Sequence, residues 1–198
     1  MTLRPAIFFD RDGTLNDEVG YLCHPDNLHL LPGAAEAIRL CNEQGVLTVL
    51  VTNQAAIARG LLTEPCLAEI HERLGDLLAA GGAHLDAIYH CPHHPEAGLP
   101  PYRVDCRCRK PRPGMIEAAC GALPIDLARS CVIGDKLSDM ALARAVGISG
   151  ILVRTGYGAD SLARAAGENA PDHVADNVRA AVEWALEHVC RAGLRAQA

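Results

Sequence analysis

The sequence predicts an α/β fold, an open and mostly parallel sheet with helices on both faces. Three observations carry that prediction. Short apolar runs alternate with helical patterns along the chain, which implies strands joined by right-handed crossovers. The run VLTVLVTNQ, residues 46–54, is continuously apolar until its end, as expected of a parallel strand covered on both faces. Polar clusters follow three of the strand candidates at their carboxyl ends, where open α/β sheets bind ligands.

In chain order, PAIFFD (5–10) reads as the first strand. PGAAEAIRLCNEQG (32–45) opens on Pro and closes on Gly, the asymmetry of a helix. After the strand at 46–54, residues 63–82 begin with a Thr cap and end on Gly-Gly, giving a second helix. DAIYHC (86–91) is a short strand, 113–123 a helix, SCVIGD (130–135) a strand and 136–147 a helix. GILVRTG (150–156) and DHVAD (172–176) read as late strands, and 177–193 as a closing helix. The alternation breaks only at residues 91–111, CPHHPEAGLPPYRVDCRCRKP. A structureless loop of that length inside a compact domain needs something to hold it.

Composition bounds the function. A chain of 198 residues with 49% hydrophobic and 4% aromatic content fits one domain, 1–198, with an aliphatic core and no need of staples. A net charge of −6 without a long basic run argues against a nucleic-acid partner. The N-terminal apolar run, Ala6 to Phe9, is too short for a signal peptide or a membrane span. Nine cysteines without an export signal then predict free thiols in a cytoplasmic protein. Cys23, Cys41, Cys66, Cys120, Cys131 and Cys190 lie in helical or apolar contexts and read as small buried or half-buried residues.

The chemistry lies in the polar clusters. Asp10 and Asp12 leave the first strand two residues apart, so an extended chain would aim both carboxylates one way and Arg11 the other. Gly13 permits the turn that follows. Paired carboxylates call for a cation, and Asp135 from another strand end completes the oxygen site that Mg²⁺ prefers. Asp139 lies one helical turn further on. Thr52 offers a hydroxyl, Asn53 an amide and Lys110 a point charge, a set suited to phosphate oxygens. A carboxylate attacking phosphorus gives an aspartyl-phosphate, and a second carboxyl would protonate the leaving alkoxide and then activate water. Spacing alone does not choose between Asp10 and Asp12 as nucleophile.

In the long loop, Cys91, His93, Cys106 and Cys108 have the pattern C-x-H, twelve residues, C-x-C. Zinc takes four such ligands tetrahedrally, and a closed set is structural rather than catalytic. Disulfides would leave one of the loop's three cysteines unpaired. By spacing, His94 competes with His93 for the metal, and His90 at the strand end reads as solvent-facing.

FFDRDGTLN, VTNQ, RKP and GDKLSDM resemble, in order, the four motifs of the haloacid dehalogenase-like phosphohydrolase superfamily. That resemblance implies a Rossmann-like sheet with Asp10 as nucleophile and Asp12 as general acid and base. It places Thr52 and Lys110 on the transferring phosphoryl group. It also implies Mg²⁺ held by Asp10, the backbone carbonyl of Asp12 and Asp135, with Asp139 in support. YHCPHHPE…CRCRKPRPGM, TNQAAIARG and DEVGYL are similar to the sugar-bisphosphate phosphatases of that superfamily that act on a heptose 1,7-bisphosphate. These enzymes serve the synthesis of nucleotide-activated heptose for lipopolysaccharide or surface glycans. This similarity implies structural Zn²⁺ on Cys91, His93, Cys106 and Cys108, in a loop (91–108) near the active site, and no large cap domain. The implied substrate contacts are Glu18, Val19, Gly20, Tyr21, Thr52, Asn53, Gln54, Ala55, Arg109, Lys110 and Lys136. Arg109 would hold the second phosphate in a bidentate fork. For Lys136, a helix-start lysine, the alternative reading is a solvated side chain.

Ala55 and Ala56 stand where these relatives commonly have Ser-Gly, which removes any side-chain contact from position 55. The expectation is a monomeric phosphoric monoester hydrolase. The competing readings are a histidinol-phosphate phosphatase, which shares the zinc loop, and a catalytically silent zinc-containing binding module.

Overall fold

The structure is a computed structural model describing residues 2–190. Six strands form one wholly parallel sheet: β1 (Ala6–Phe9), β2 (Leu47–Asn53), β3 (Ala87–Cys91), β4 (Cys131–Gly134), β5 (Ser149–Val153) and β6 (His173–Ala175). Their order is β3-β2-β1-β4-β5-β6, the Rossmann-type doubly wound arrangement. The chain builds outward from β1 to β3, then returns to the other side of β1 to lay down β4. The switch point therefore lies between β1 and β4, which pair from Ile7↔Cys131 to Phe9↔Ile133.

Period-two alternation along the strands divides the core between the two faces. Ile7 and Phe9 of β1, with Leu50 and Ile133, pack against α1 (Ala34–Glu43), α3 (Glu64–Ala80) and α7 (Val178–Ala185). Ala6 and Phe8, with Val49, Val51 and Val132, pack against α4 (Gly114–Ala122) and α5 (Leu137–Ala145). Both faces of β1 are fully buried, which explains the unbroken apolar reading of its sequence. The helix boundaries follow local signals. The Thr63 side chain caps α3 by accepting from Cys66 N at 3.3 Å, and Asn177 caps α7 by accepting from Ala180 N at 3.0 Å.

Some elements differ from expectation. The segment read as strand to residue 156 stops at Val153, because Gly156 takes a positive φ of 54°. Two helices emerge where none was expected, the single turn α2 (Ala55–Ala58) and α6 (Gly158–Arg164). The closing helix passes into a π turn, Leu186–Cys190, and the remainder of its expected span, 191–193, lies outside the described residues. Cys41, Cys131 and Cys190 are buried and Cys23, Cys66 and Cys120 half-buried, as expected. No described helix is long and apolar enough to cross a membrane.

Candidate active site

Backbone geometry at the switch point brings the polar clusters together. Asp10 N donates to Ile133 O at 2.9 Å, so β1 and β4 stay paired up to the first aspartate. Gly13 then turns the chain with φ 83°, in a space where a Cβ would collide with the Asp135 carboxylate. That glycine is required twice, for its backbone angle and for the approach of Asp135. Asp135 leaves β4 directly, and Gly134 leaves room for Asp139, which reaches back from the first turn of α5.

Asp10, Asp135 and Asp139 are all buried, with carboxylate oxygens within 4.8 Å of one another. Lys110 Nζ lies 2.8 Å from Asp10 Oδ1 and 2.6 Å from Asp139 Oδ1. Lys136 Nζ lies 2.9 Å from Glu18 Oε2, 3.6 Å from Asp135 Oδ1 and 3.9 Å from Asp10 Oδ2. Lys136 is thus part of the charge centre rather than a solvated lysine, and it ties the loop carrying Glu18 to the site. Three buried carboxylates face two ammonium groups here, leaving room for a divalent cation.

The electrostatics distinguish the three acids. Burial alone would raise the pKa of Asp10, but Lys110 and then Lys136 outweigh it, and the group is held below the ordinary range. It is therefore ionised and available as a nucleophile. Burial, reinforced by Asp10, pushes Asp135 up to about 7. Its Oδ2 accepts from Tyr157 N at 2.9 Å, while Oδ1 is buried without a hydrogen-bond partner. That orphaned oxygen, beside two other carboxylates, fits a hard cation such as Mg²⁺. Asp139 is less free, because Lys110 takes Oδ1 and Lys136 N donates to Oδ2 at 3.1 Å. Asp10 and Asp135 could hold such an ion, while Asp139 braces Lys110.

A cavity of about 230 Å³ opens onto this centre, lined by Asp10, Asp12, Asn53, Arg109, Lys110, Lys136 and Ser138. Asn53 fixes the backbone of Lys110 in both directions: its Oδ1 accepts from Lys110 N at 3.0 Å, and its Nδ2 donates to Lys110 O at 3.2 Å. Buried Thr52 accepts from Gln54 Nε2 at 2.9 Å, which leaves the hydroxyl proton free. Ala55 opens α2. In the neighbouring loop, Gly20 N donates to Glu18 Oε1 at 2.7 Å, Val19 and Tyr21 are exposed, and Tyr21 lies under the Arg59 guanidinium.

The turn at Gly13 changes one expectation. Arg11 does not point away from Asp12. It is fully buried and forks onto the Asp12 carboxylate at 3.0–3.2 Å, because the chain is no longer extended there. Ser138 at the cavity wall was also missed, since a serine at a helix start reads as an ordinary capping residue.

The long loop closes on itself. Cys91 Sγ lies 3.4 Å from Cys106 Sγ and 3.2 Å from Cys108 Sγ, and His93 Nδ1 lies 3.4 Å from Cys108 Sγ. All four candidate ligand atoms fall within 4.8 Å of one another, a donor set and spacing suited to tetrahedral zinc. Burial pushes the Cys91 thiol well above its ordinary pKa, so holding it as a thiolate calls for a cation. Adjacent His94 has its Nδ1 engaged, accepting from Glu96 N at 3.1 Å and Ala97 N at 2.9 Å. His90, expected in solvent, pairs with Glu64 at 3.0 Å. At the loop tip, Gly98 packs against the Ala58 backbone with no room for a Cβ. The base of the loop meets the active site through Arg109, whose Nη1 donates to His93 O at 3.0 Å while its side chain lines the cavity.

This geometry has counterparts. The HAD-hydrolase-like family model matches residues 107–181. D-glycero-D-manno-heptose-1,7-bisphosphate 7-phosphatase of Thermosynechococcus vestitus is 44% identical over 192 residues, covering 94% of this chain and 97% of that protein. The chain belongs to the heptose-bisphosphate phosphatase family of haloacid dehalogenase-like hydrolases. Another member, D-glycero-beta-D-manno-heptose-1,7-bisphosphate 7-phosphatase of Escherichia coli K12, is 45% identical over 153 residues, covering 77% of this chain and 80% of that one. Within the same family, the crystal structure of D,D-heptose 1,7-bisphosphate phosphatase from B. bronchiseptica, complexed with magnesium and phosphate, superimposes with a TM-score of 0.81. It is 35% identical and covers 92% of this chain and 98% of that one. Family membership makes the chain a phosphoric monoester hydrolase and disfavours the silent binding module.

Proposed function

We propose that this enzyme removes the 7-phosphate of D-glycero-D-manno-heptose 1,7-bisphosphate through a phospho-aspartate on Asp10, in the supply of activated heptose. The observation that carries the reading is the Asp10 carboxylate, held ionised between Lys110 and Lys136 at the floor of a small polar cavity. The names of the relatives point to the same substrate.

In this proposal Asp10 attacks phosphorus and the sugar alkoxide leaves with a proton from Asp12. Water then cleaves the acyl-phosphate, with Asp12 taking its proton. Lys110 neutralises the transferring group, and Thr52 donates its free hydroxyl proton to a phosphoryl oxygen. Mg²⁺ held by Asp10, Asp135 and the Asp12 carbonyl would supply charge neutralisation for the phosphate. Arg109 meets the second phosphate, while Glu18, Val19, Gly20, Tyr21 and Lys136 border the sugar. Zn²⁺ on Cys91, His93, Cys106 and Cys108 would be structural, clipping the loop that presents Arg109. The enzyme is proposed to act as a cytoplasmic monomer on this small substrate.

The test is a steady-state comparison of both heptose 1,7-bisphosphate anomers, fructose 1,6-bisphosphate and histidinol phosphate. A heptose bisphosphate should give the highest kcat/KM. Preference for histidinol phosphate would overturn the substrate assignment while leaving the phosphatase chemistry standing.

A further inference from the structure

Arg11 is a fully buried cation to which the chemistry above gives no role. Its Nε lies 3.2 Å from Asp12 Oδ1, and its Nη2 lies 3.1 Å from Oδ1 and 3.0 Å from Oδ2. Asn16 Nδ2 adds a third donor direction to Oδ1 at 3.0 Å. Gln54 closes the other side, with Nε2 donating to Asp12 Oδ2 at 3.0 Å and to Thr52 Oγ1 at 2.9 Å. The Gln54 Oε1 accepts from Arg11 Nη2 at 3.1 Å. Every polar group of that amide is used, and its orientation is dictated, because a flipped amide would set its carbonyl against the carboxylate. One glutamine thus connects the Asp12 carboxylate, the Arg11 guanidinium and the Thr52 hydroxyl.

We propose that Arg11 and Gln54 are positioning residues that aim the Asp12 carboxylate at the leaving-group oxygen. The proposal rests on the acid–base role assigned to Asp12 above. A planar fork fixes the plane of a carboxylate, which a single ammonium cannot do. Asp12 needs such fixing because it lines the cavity, with its side chain 18% exposed, and sits on a turn rather than in a strand. The arrangement behind Arg11 adds no competing charge. Its Nη1 and His71 Nε2 are both buried without hydrogen-bond partners, and burial followed by Arg11 holds His71 down to about 3, so His71 is neutral. Aim matters most when the departing oxygen is a poor leaving group that must receive its proton in the transition state. A p-nitrophenolate leaves without that help.

The test is kcat/KM for Arg11→Met, Arg11→Lys, Gln54→Leu and Asp12→Asn on a series of aryl and alkyl monophosphates of graded leaving-group pKa. These substrates carry no second phosphate, so Arg109 does not enter. Arg11→Met should lose about a hundredfold at the alkyl end, the cost of roughly 1 Å of misplacement, and less than about threefold on p-nitrophenyl phosphate. Its dependence on leaving-group pKa becomes steeper than in the wild type. Arg11→Lys should stay close to Arg11→Met, and Gln54→Leu should show a smaller steepening. Equal losses across the series, no loss, or full rescue by lysine would overturn the proposal. Circular dichroism and melting verify each variant's fold, and if Arg11→Met does not fold, Gln54→Leu, which removes no charge, decides. Asp12→Asn separates the two assignments. If its loss is equal across the series, the acid role fails and the clamp with it; if only the Asp12→Asn loss grows with leaving-group pKa, the clamp alone fails.

Discussion

The carboxylate centre and the thiol–imidazole cluster are both candidate metal sites, yet the protein treats their charge in opposite ways. Asp10, Asp135 and Asp139 come from two strand ends and a helix start on the rigid sheet, and they arrive with their own cations, Lys110 and Lys136. Cys91, His93, Cys106 and Cys108 come from a strand end and an irregular loop, and no ammonium or guanidinium reaches their sulfurs within the distances of an ion pair or hydrogen bond among the described residues. The first centre therefore keeps its geometry through the sheet and the lysines, and an ion there would serve chemistry. The second would depend on an ion for its geometry, because burial raises the Cys91 thiol and nothing but a shared cation would draw the four donors together. Arg109 is where the two meet, with its guanidinium on the His93 carbonyl and its side chain on the cavity wall.

The sharpest break in that contrast comes from the carboxylates. Asp10→Asn should abolish turnover while leaving the melting temperature close to wild type, and rapid quench of the wild type should trap a phospho-aspartate. Normal activity in Asp10→Asn would end the nucleophile assignment. Asp12→Asn should slow the reaction by about 10²–10⁴-fold on the sugar bisphosphate, the usual contribution of a general acid–base group.

Substitutions in the thiol cluster should instead act on the loop. Cys106→Ser and Cys108→Ser should bring zinc below one per chain by metal analysis, lower the melting temperature and expose the loop tip to protease. His93→Ala should lose the metal and His94→Ala should retain it, since the His94 Nδ1 is already engaged by two backbone amides. Full activity on the bisphosphate after complete zinc removal would show that the two regions are independent.

Arg109→Ala sharpens the comparison at their junction. It should cut kcat/KM for the heptose bisphosphate about tenfold or more, the worth of one charge-assisted bond of roughly 1.5–3 kcal/mol. The value for p-nitrophenyl phosphate should hardly change. Zinc-stripped enzyme should show the same selective loss, because the guanidinium then loses its anchor on the His93 carbonyl. Equal losses on both substrates would place Arg109 at the reacting phosphate.

The smallest expected effect is on pH. Asp135 is raised to about 7 from an ordinary 3.8, so between those values the folded protein holds a proton that the unfolded chain has released. Its contribution to stability is therefore greatest near the lower value and declines as pH rises toward 7. Mg²⁺ competes with that proton, so its apparent affinity should fall by about tenfold per pH unit below 7. In thermal melts, saturating Mg²⁺ should raise the melting temperature more at about pH 8 than at about pH 5.5. A shift independent of pH would remove Asp135 from the ion's ligands.

Much of this was legible before the chain was folded. The alternation of strands and helices, the three polar clusters at strand ends and the C-x-H…C-x-C pattern are local properties, and local chemistry decides them. The apolar run at 46–54 read as a strand covered on both faces, and Asp10 stood at the carboxyl end of the first strand. The choice of Asp10 over Asp12 as nucleophile came from family resemblance. What local pattern hid was every feature that depends on a neighbour far along the chain. The sequence leaves Lys136 open between a substrate contact and a solvated lysine, and its pairing with Glu18 at 2.9 Å shows only in the fold. His90 reads as exposed until Glu64 meets it, and the short helices α2 and α6 have too few residues for their pattern to show.

By itself, then, the sequence determined which residue types could do the chemistry and which ends of which strands would present them. Hydrophobic periodicity and turn chemistry are encoded over a few residues. The tertiary structure alone decided which polar groups satisfy one another. Strand order sets the switch point between β1 and β4, and that placement brings Asp10 within reach of Asp135. Burial at this point then makes each carboxylate's charge depend on the nearest lysine. The turn at Gly13 gives Arg11 to Asp12 rather than to solvent, because a buried guanidinium requires an acceptor and the fold supplies that carboxylate there.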